Sequence, residues 1–167
     1  IRIPIDISAA RRPNVEIEIF FRLLGLPATR GWLISRRTDD FSTRGVVFKD
    51  ERMQCAASQL QVSGTVGTCH SNLVRLGEWV TLRVSWGLSG GGQISGTAAS
   101  GEAWVSLLPF GFSDSGAPDW FFVGGSDSVI PNAIHMELAH IRVWDRPHSP
   151  TDLGPSELNS VKCPGKM

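Results

Sequence analysis

The carboxylates are the first residues to weigh for chemistry, because their spacing decides whether they could cleave a glycosidic bond. That reaction needs two carboxylates facing each other across the bond, about 5 Å apart when configuration is retained. Glu16 and Glu18 would share one face of a strand, since successive side chains of a strand point to opposite faces. No third acid follows them, and no Glu-x-Asp-x-x-Glu pattern occurs. The pattern favours an exposed polar face over a catalytic pair.

Nucleophilic catalysis finds no better support in the sequence. The four histidines are scattered, and no Gly-x-Ser-x-Gly elbow accompanies them. Cys69 and His70 are neighbours that would point to opposite faces of a strand, which disfavours a Cys/His pair. His140 falls on the outward side of a predicted strand, where a surface position is expected. We therefore expect no enzyme, and glycoside hydrolysis is the alternative.

The three cysteines leave two readings open. Cys55 and Cys69 flank a segment with the pattern of a strand and a turn. A disulfide between them would close a loop of about 15 residues and contribute about 3 kcal/mol through the unfolded state. Two free, partly buried thiols are the other reading. Cys163 lies in a Pro/Gly tail, as a spare thiol or as the partner of another chain.

Composition excludes some classes of partner. The 16 basic and 16 acidic residues give a formal net charge of zero, whereas nucleic-acid binding usually needs a basic excess. No run of about 18 apolar residues occurs, so we expect no membrane span. The chain begins at Ile1 with no charged-then-apolar leader, as expected of a processed product or a piece of a longer protein.

Alternation of apolar and polar residues is the dominant pattern and predicts strands. Apolar rows occupy every second position in residues 1–7, 15–21, 80–86 and 139–143. Pro4 lacks an amide donor, which places the first row at a sheet edge. Residues 87–101 hold six Gly and three Ser and are predicted to form a mobile loop. Helical character is confined to a single turn at 149–153. These features predict an all-β sandwich over 1–153 and a tail over 154–167.

Four segments carry a family resemblance. Residues 77–86 have the pattern of a strand that carries tryptophan, and residues 136–153 that of a strand ending in Trp144 before a Ser-Pro turn. Residues 121–125 resemble a strand that ends in a glycine pair, and residues 32–35 resemble an early strand. Together they resemble pentraxin and laminin-G-like domains of the concanavalin A-like superfamily, over most of residues 15–153. The resemblance implies a jelly roll of two antiparallel sheets, with the N-terminal strand beside the last one. It also implies binding of carbohydrate, protein or lipid headgroups outside the cell or at its surface.

Calcium is the only cofactor that the resemblance implies. Pentraxins hold it with acidic and amide side chains on loops, because hard cations prefer oxygen ligands. The matching loop here supplies Asp127, and Asp39 and Asp40 on an earlier loop could add two carboxylates. Hydrogen bonds of these side chains to their own turns are the alternative.

Aromatic residues complete the set of candidate ligand contacts. Trp120 lies beside a polar loop, and Phe110 and Phe112 form an apolar loop that could dock a partner. Trp86 belongs to an apolar row and is predicted to be in the core. The sequence thus predicts a noncatalytic recognition module that binds a glycan or a protein, as one part of a larger assembly.

Overall fold

The computed structural model describes residues 1–8, 11–25, 30–35, 45–49, 52–56, 67–68, 74–87, 92–108, 120–125 and 134–145. These residues form eleven strands in two sheets, in which all pairs are antiparallel. No helix occurs in these ranges, and so none that could span a membrane. The prediction of an all-β, two-sheet antiparallel sandwich is confirmed. The predicted helical turn at 149–153 and the tail over 154–167 lie outside the described residues.

The two sheets differ in size. The six-stranded sheet has, in spatial order, β1 (Arg2–Ile3), β10 (Phe121–Val123), β3 (Arg30–Ser35), β4 (Gly45–Lys49), β5 (Arg52–Ala56) and β6 (Gly67–Thr68). The five-stranded sheet has β11 (His135–Trp144), β2 (Val15–Gly25), β7 (Trp79–Trp86), β8 (Gly92–Ala98) and β9 (Ala103–Leu108).

The core lies between the sheets and is built from the predicted apolar rows. On β2 and β7 the rows are in register, so that Ile17 is opposite Val84 and Ile19 is opposite Leu82. Leu33 and Phe48 of the six-stranded sheet belong to the same buried cluster. Each such side chain contributes about 1.5–3 kcal/mol on burial. Trp86 is fully buried, as predicted.

The N-terminal row is placed differently from the prediction. Only Arg2–Ile3 is a strand, and it pairs with β10 in the six-stranded sheet rather than with the last strand, β11. The strand is short for a local reason: Pro4 has no amide to continue the ladder, and Ile5 N donates instead to Ile3 O at 2.9 Å, which turns the chain. The predicted edge position is confirmed.

Part of the glycine-rich segment is a strand, where a mobile loop over the whole of 87–101 is predicted. Its middle, Gly92–Ala98, is β8, and Ile94 and Ala98 are buried in the core. β8 is hydrogen-bonded to β7 on one side and to β9 on the other. Because these bonds satisfy its backbone, few apolar side chains are needed to keep the segment in the sheet.

Candidate functional site

The surface of the five-stranded sheet that points away from the core is polar, and we call it the polar face. Cross-strand pairs define it, because residues opposite each other in a sheet point to the same side. Its residues on β11, β2 and β7 are Glu137, His140, Arg142, Trp144, Glu16, Glu18, Phe20, Arg22, Trp79, Thr81, Arg83 and Ser85.

Glu18 lies at the centre of the polar face and is only 2% exposed. Its Oε2 accepts a hydrogen bond from Arg83 Nε at 2.6 Å, and its Oε1 accepts one from an Arg142 terminal nitrogen at 3.2 Å. His140 Nε2 is 3.0 Å from the same Oε1. The three partners come from the strands on either side of β2. Glu18 therefore joins three strands through one carboxylate.

The expectation that Glu16 and Glu18 form an exposed face is wrong in one respect. They share a face, as the alternation predicts, but Glu16 is 6% exposed and Glu18 only 2%. Long side chains on the flanking strands fold over Glu18, which period-two alternation along one strand could not reveal.

The electrostatics of Glu18 follow from these contacts. Burial acts to raise its pKa, since it disfavours the charged form. Hydrogen bonds from Arg83 and His140, with the charges of Arg83 and Arg142, outweigh burial and lower the pKa of Glu18 below its ordinary value. Glu18 is thus a carboxylate at neutral pH and a poor source of protons.

The three partners of Glu18 remain accessible although the carboxylate is not. The side chain of Arg142 is 60% exposed, that of Arg83 34% and that of His140 37%. A guanidinium carries five N–H donors. Within the described part of the chain, Arg83 uses only Nε and Arg142 only one terminal nitrogen as donors. The remaining donors are open to solvent or to a ligand.

A β-bulge in β11 brings the two ends of the site together. The register with β2 shifts between Leu138 and His140, so that Ala139 is the extra residue. Leu138 and Ile141 both pack against the core as a result, while Glu137 and His140 both join the polar face. Without this shift, period-two alternation would put Glu137 and His140 on opposite faces.

Aromatic rings adjoin the Glu18 cluster. The rings of Phe20 and Trp79 lie 4.8 Å apart between centroids, and Phe20 also contacts the His140 ring at 5.5 Å. The Arg22 guanidinium lies 5.1 Å from the Trp79 ring and donates from Nε to a Glu137 carboxylate oxygen at 2.9 Å. Trp79 is half-buried. The polar face thus combines flat apolar surface with fixed charged donors and acceptors.

A second candidate is an open cavity of about 370 Å³ at one end of the sandwich, lined by Asp6, Arg11, Arg12, Pro13 and Asp145. Its charged groups other than Arg11 are engaged with one another or with the backbone. Arg12 forms an ion pair with Asp145 and donates from Nε to Asp6 O at 3.0 Å, and Asp6 accepts from Ser8 N. Because these groups satisfy each other, the cavity offers a ligand fewer donors than the polar face does.

Solved structures with a similar fold include a sialidase and a toxin receptor binding domain. Trypanosoma rangeli sialidase, in complex with the inhibitor DANA, has a TM-score of 0.56 at 11% identity, over 86% of this chain and 22% of the sialidase. The receptor binding domain of botulinum neurotoxin mosaic serotype C/D has a TM-score of 0.57 at 8% identity, over 86% of this chain and 36% of that domain.

At this level of identity, the likeness shows the fold alone. This chain spans about a fifth of the length of the sialidase. No protein-family model matches the sequence, and no curated protein is similar to it. A two-sheet antiparallel β-sandwich agrees with both solved structures, and the concanavalin A-like superfamily stays a prediction. The pentraxin or laminin-G branch stays a prediction.

Trp120 is the one sequence-predicted ligand contact whose side chain the structure describes. It is half-buried, directly before β10, and the Arg2 guanidinium lies 3.8 Å from the centre of its ring. One face of the ring is therefore covered by a cation. Trp120 adjoins the six-stranded sheet, which is the sheet that does not carry the polar face.

The other predicted site residues are not brought together by any described contact. Outside the described residues lie Asp39, Asp40, Asp127, Phe110, Phe112 and Cys69. The backbone of Cys55 is on β5 opposite Gly67, and its side chain is not described. In the described ranges, no group of three or more His, Cys, Asp or Glu side chains could hold a metal ion. Calcium binding and the disulfide stay predictions.

Sequence reasoning missed the Glu18 cluster. Glu18, Arg83 and Arg142 are visible in the sequence as polar positions of three alternating rows. Their convergence depends on strand order, because β11 and β7 both flank β2 although Arg142 lies 124 residues and Arg83 65 residues from Glu18 along the chain. Opposite charges on neighbouring rows were the available signal.

Proposed function

We propose that this domain is a noncatalytic recognition module that binds a glycan through the polar face of its five-stranded sheet. One observation carries the proposal: a buried carboxylate, Glu18, holds the accessible groups of Arg83, His140 and Arg142 in place beside the Phe20–Trp79 pair. Sugars present apolar C–H faces and polar hydroxyl edges. A surface with rings and fixed donors side by side complements both.

Rigidity favours binding at this surface. A ligand that orders flexible side chains loses affinity, by about 0.5–1.5 kcal/mol for each side chain immobilised. Arg83 and Arg142 are already held by Glu18, and Arg22 is held by Glu137. Less ordering is then required when the ligand binds.

Hydrolysis is the rival function on this fold, and the chemistry of Glu18 weighs against it. A general acid in a glycosidase needs a raised pKa, so that it holds a proton to give to the leaving group. The pKa of Glu18 is lowered, and three basic partners occupy its oxygens. Glu18 is therefore better suited to position side chains than to transfer a proton.

The setting of the domain is part of the proposal. We place it outside the cell or at its surface, as one component of a larger chain or assembly. Support comes from the resemblance in sequence and from the small share of the sialidase, 22%, and of the toxin domain, 36%, that this fold occupies. A protein ligand is the second possibility on the same face.

The test measures binding of the whole chain to an immobilised glycan panel, together with release of reducing ends. We expect retention without release, and loss of retention in Trp79→Ala. The matched control is Phe122→Ala, which removes a half-buried aromatic of the other sheet. Loss of binding in Trp120→Ala with full binding in Trp79→Ala would move the site to the six-stranded sheet. Release of reducing ends would establish an enzyme instead.

A further inference from the structure

We infer that the glycan bound at the polar face is acidic, and that its carboxylate or sulfate group binds Arg83 and Arg142 together. This inference rests on the proposed function and names the class of ligand. It starts from the two guanidinium groups, which contact different oxygens of one carboxylate: Arg83 Nε meets Glu18 Oε2, and Arg142 meets Oε1.

That geometry places two positive charges next to each other. The two oxygens of one carboxylate are close neighbours, so the guanidinium groups that contact them are also close. Like charges at such a distance repel, and a single Glu18 is shared between them. Arg22, the other arginine on the described polar face, has its own carboxylate partner in Glu137. A second anion beside Arg83 and Arg142 would relieve their repulsion.

The donors that remain on these groups suit an anion better than a hydroxyl. Arg83 and Arg142 each keep several N–H groups that make no hydrogen bond to the described residues. Planar guanidinium groups match carboxylate and sulfate oxygens in pairs, and these charge-assisted bonds are about twice as strong as neutral ones. The nearest carboxylate along β2 on this face is that of Glu16, which is opposite Trp144 and has interactions of its own.

The surroundings favour a sugar as the carrier of the anion over a nucleic acid. Nucleic acids need many cations along a phosphate backbone, and this chain has a formal net charge of zero. The polar face instead places one cationic spot beside the Phe20–Trp79 pair. A single charged group on a ring with an apolar face fits that arrangement.

The experiment uses matched pairs of glycans in which one member is acidic and the other has lost its charge. Suitable pairs are keratan sulfate with desulfated keratan, sialylated N-glycans with their sialic acid methyl esters, and polygalacturonate with its methyl ester. We expect the wild-type chain to bind the acidic member at least about tenfold more tightly in at least one pair. The sulfate pair and the carboxylate pairs show which anion is preferred.

Variants of Arg142, the more exposed of the two arginines, test whether that preference depends on the pair. Arg142→Gln is expected to abolish the difference between the members of a pair, and Arg142→Lys, which keeps the charge but loses the planar fork, to reduce it. Arg142 is 60% exposed, so both variants should fold, and a thermal melt verifies this. The control is Arg75→Gln, which removes an equally exposed arginine outside the polar face, paired with Glu102.

The outcomes separate the inference from the proposed function. Equal binding of both members of every pair would overturn the acidic ligand and leave glycan recognition intact. A difference that survives in Arg142→Gln, or that disappears in Arg75→Gln, would overturn the assignment to these arginines. Failure to bind any glycan would overturn the proposed function itself.

Discussion

At the scale of single residues, Glu18 makes stability depend on pH. Its pKa is lowered in the folded protein, so the unfolded chain binds a proton more readily than the folded one. The stabilisation is complete above the unfolded pKa, about 4.3, and is lost as pH falls through the folded value. We expect Glu18→Gln to lower the free energy of unfolding at pH 7 by about 1–3 kcal/mol. The difference from wild type should shrink as the pH falls below about 4.

Denaturant unfolding at pH 7 and at stepwise lower pH measures this effect. Glu102→Gln is the control, because its ion pair with Arg75 is exposed at the surface and should be worth less than about 1 kcal/mol. A constant difference between wild type and Glu18→Gln at every pH would show that Glu18 is not stabilised in its charged form.

Alanine substitutions at Gly45 and Gly25 test how closely the chain packs around them, because neither glycine has a positive φ that would add backbone strain. A Cβ at Gly45 would lie 2.7 Å from the Trp32 ring and 2.9 Å from Ile34 O, distances that real Cβ atoms do not reach. At Gly25 the nearest atom would be at 3.6 Å, an ordinary contact. We expect Gly45→Ala to cost about 1–3 kcal/mol of stability and Gly25→Ala to cost little. Thermal melts of the two variants decide the matter, and equal melting temperatures would contradict the packing of β3 against β4.

At the scale of elements, alternation predicted the strands that have one apolar face. The rows at 15–21 and 80–86 became β2 and β7 because strict alternation leaves a single way to bury them. It failed where hydrogen bonding between neighbours, rather than the segment's own side chains, determines the structure, as for β8. It also could not foresee the bulge at Ala139, and therefore could not place Glu137 beside His140. The candidate site depends on that bulge and on the order of the strands in the sheet. Neither can be predicted from the alternation pattern of a single strand.

The placement of β8 can be tested directly. Ile94 is fully buried, and a mobile loop would not hold it there. We expect Ile94→Ala to destabilise the domain by about 2–5 kcal/mol, as a core truncation does. Thr97→Ala on the same strand removes an exposed side chain and should change stability by no more than about 1 kcal/mol. Similar small effects of both substitutions, measured by denaturant unfolding, would favour the loop that the composition suggests.

At the scale of the whole molecule, the two sides of the five-stranded sheet have different roles. One side stabilises the fold, and the other carries the candidate site. Its inner side contributes Ile17, Ile19 and Val84 to a core shared with the other sheet, while its outer side carries the Glu18 cluster. Because each strand presents both sides at once, a change in register would move the core residues and the site residues together. The backbone of the polar face therefore cannot change its register without a change in the core beneath it.

This shared core predicts that the two sheets unfold as one cooperative unit. Trp32 of the six-stranded sheet and Trp86 of the five-stranded sheet are both buried, and each reports on its own sheet. With 5-fluorotryptophan incorporated, the fluorine signals of the two residues, assigned by Trp→Phe variants, should disappear at the same urea concentration. Val46→Ala, a truncation in the six-stranded sheet alone, should move both midpoints equally. A shift confined to the Trp32 signal would mean that the sheets are separately stable, and that the polar face does not depend on the sandwich as a whole.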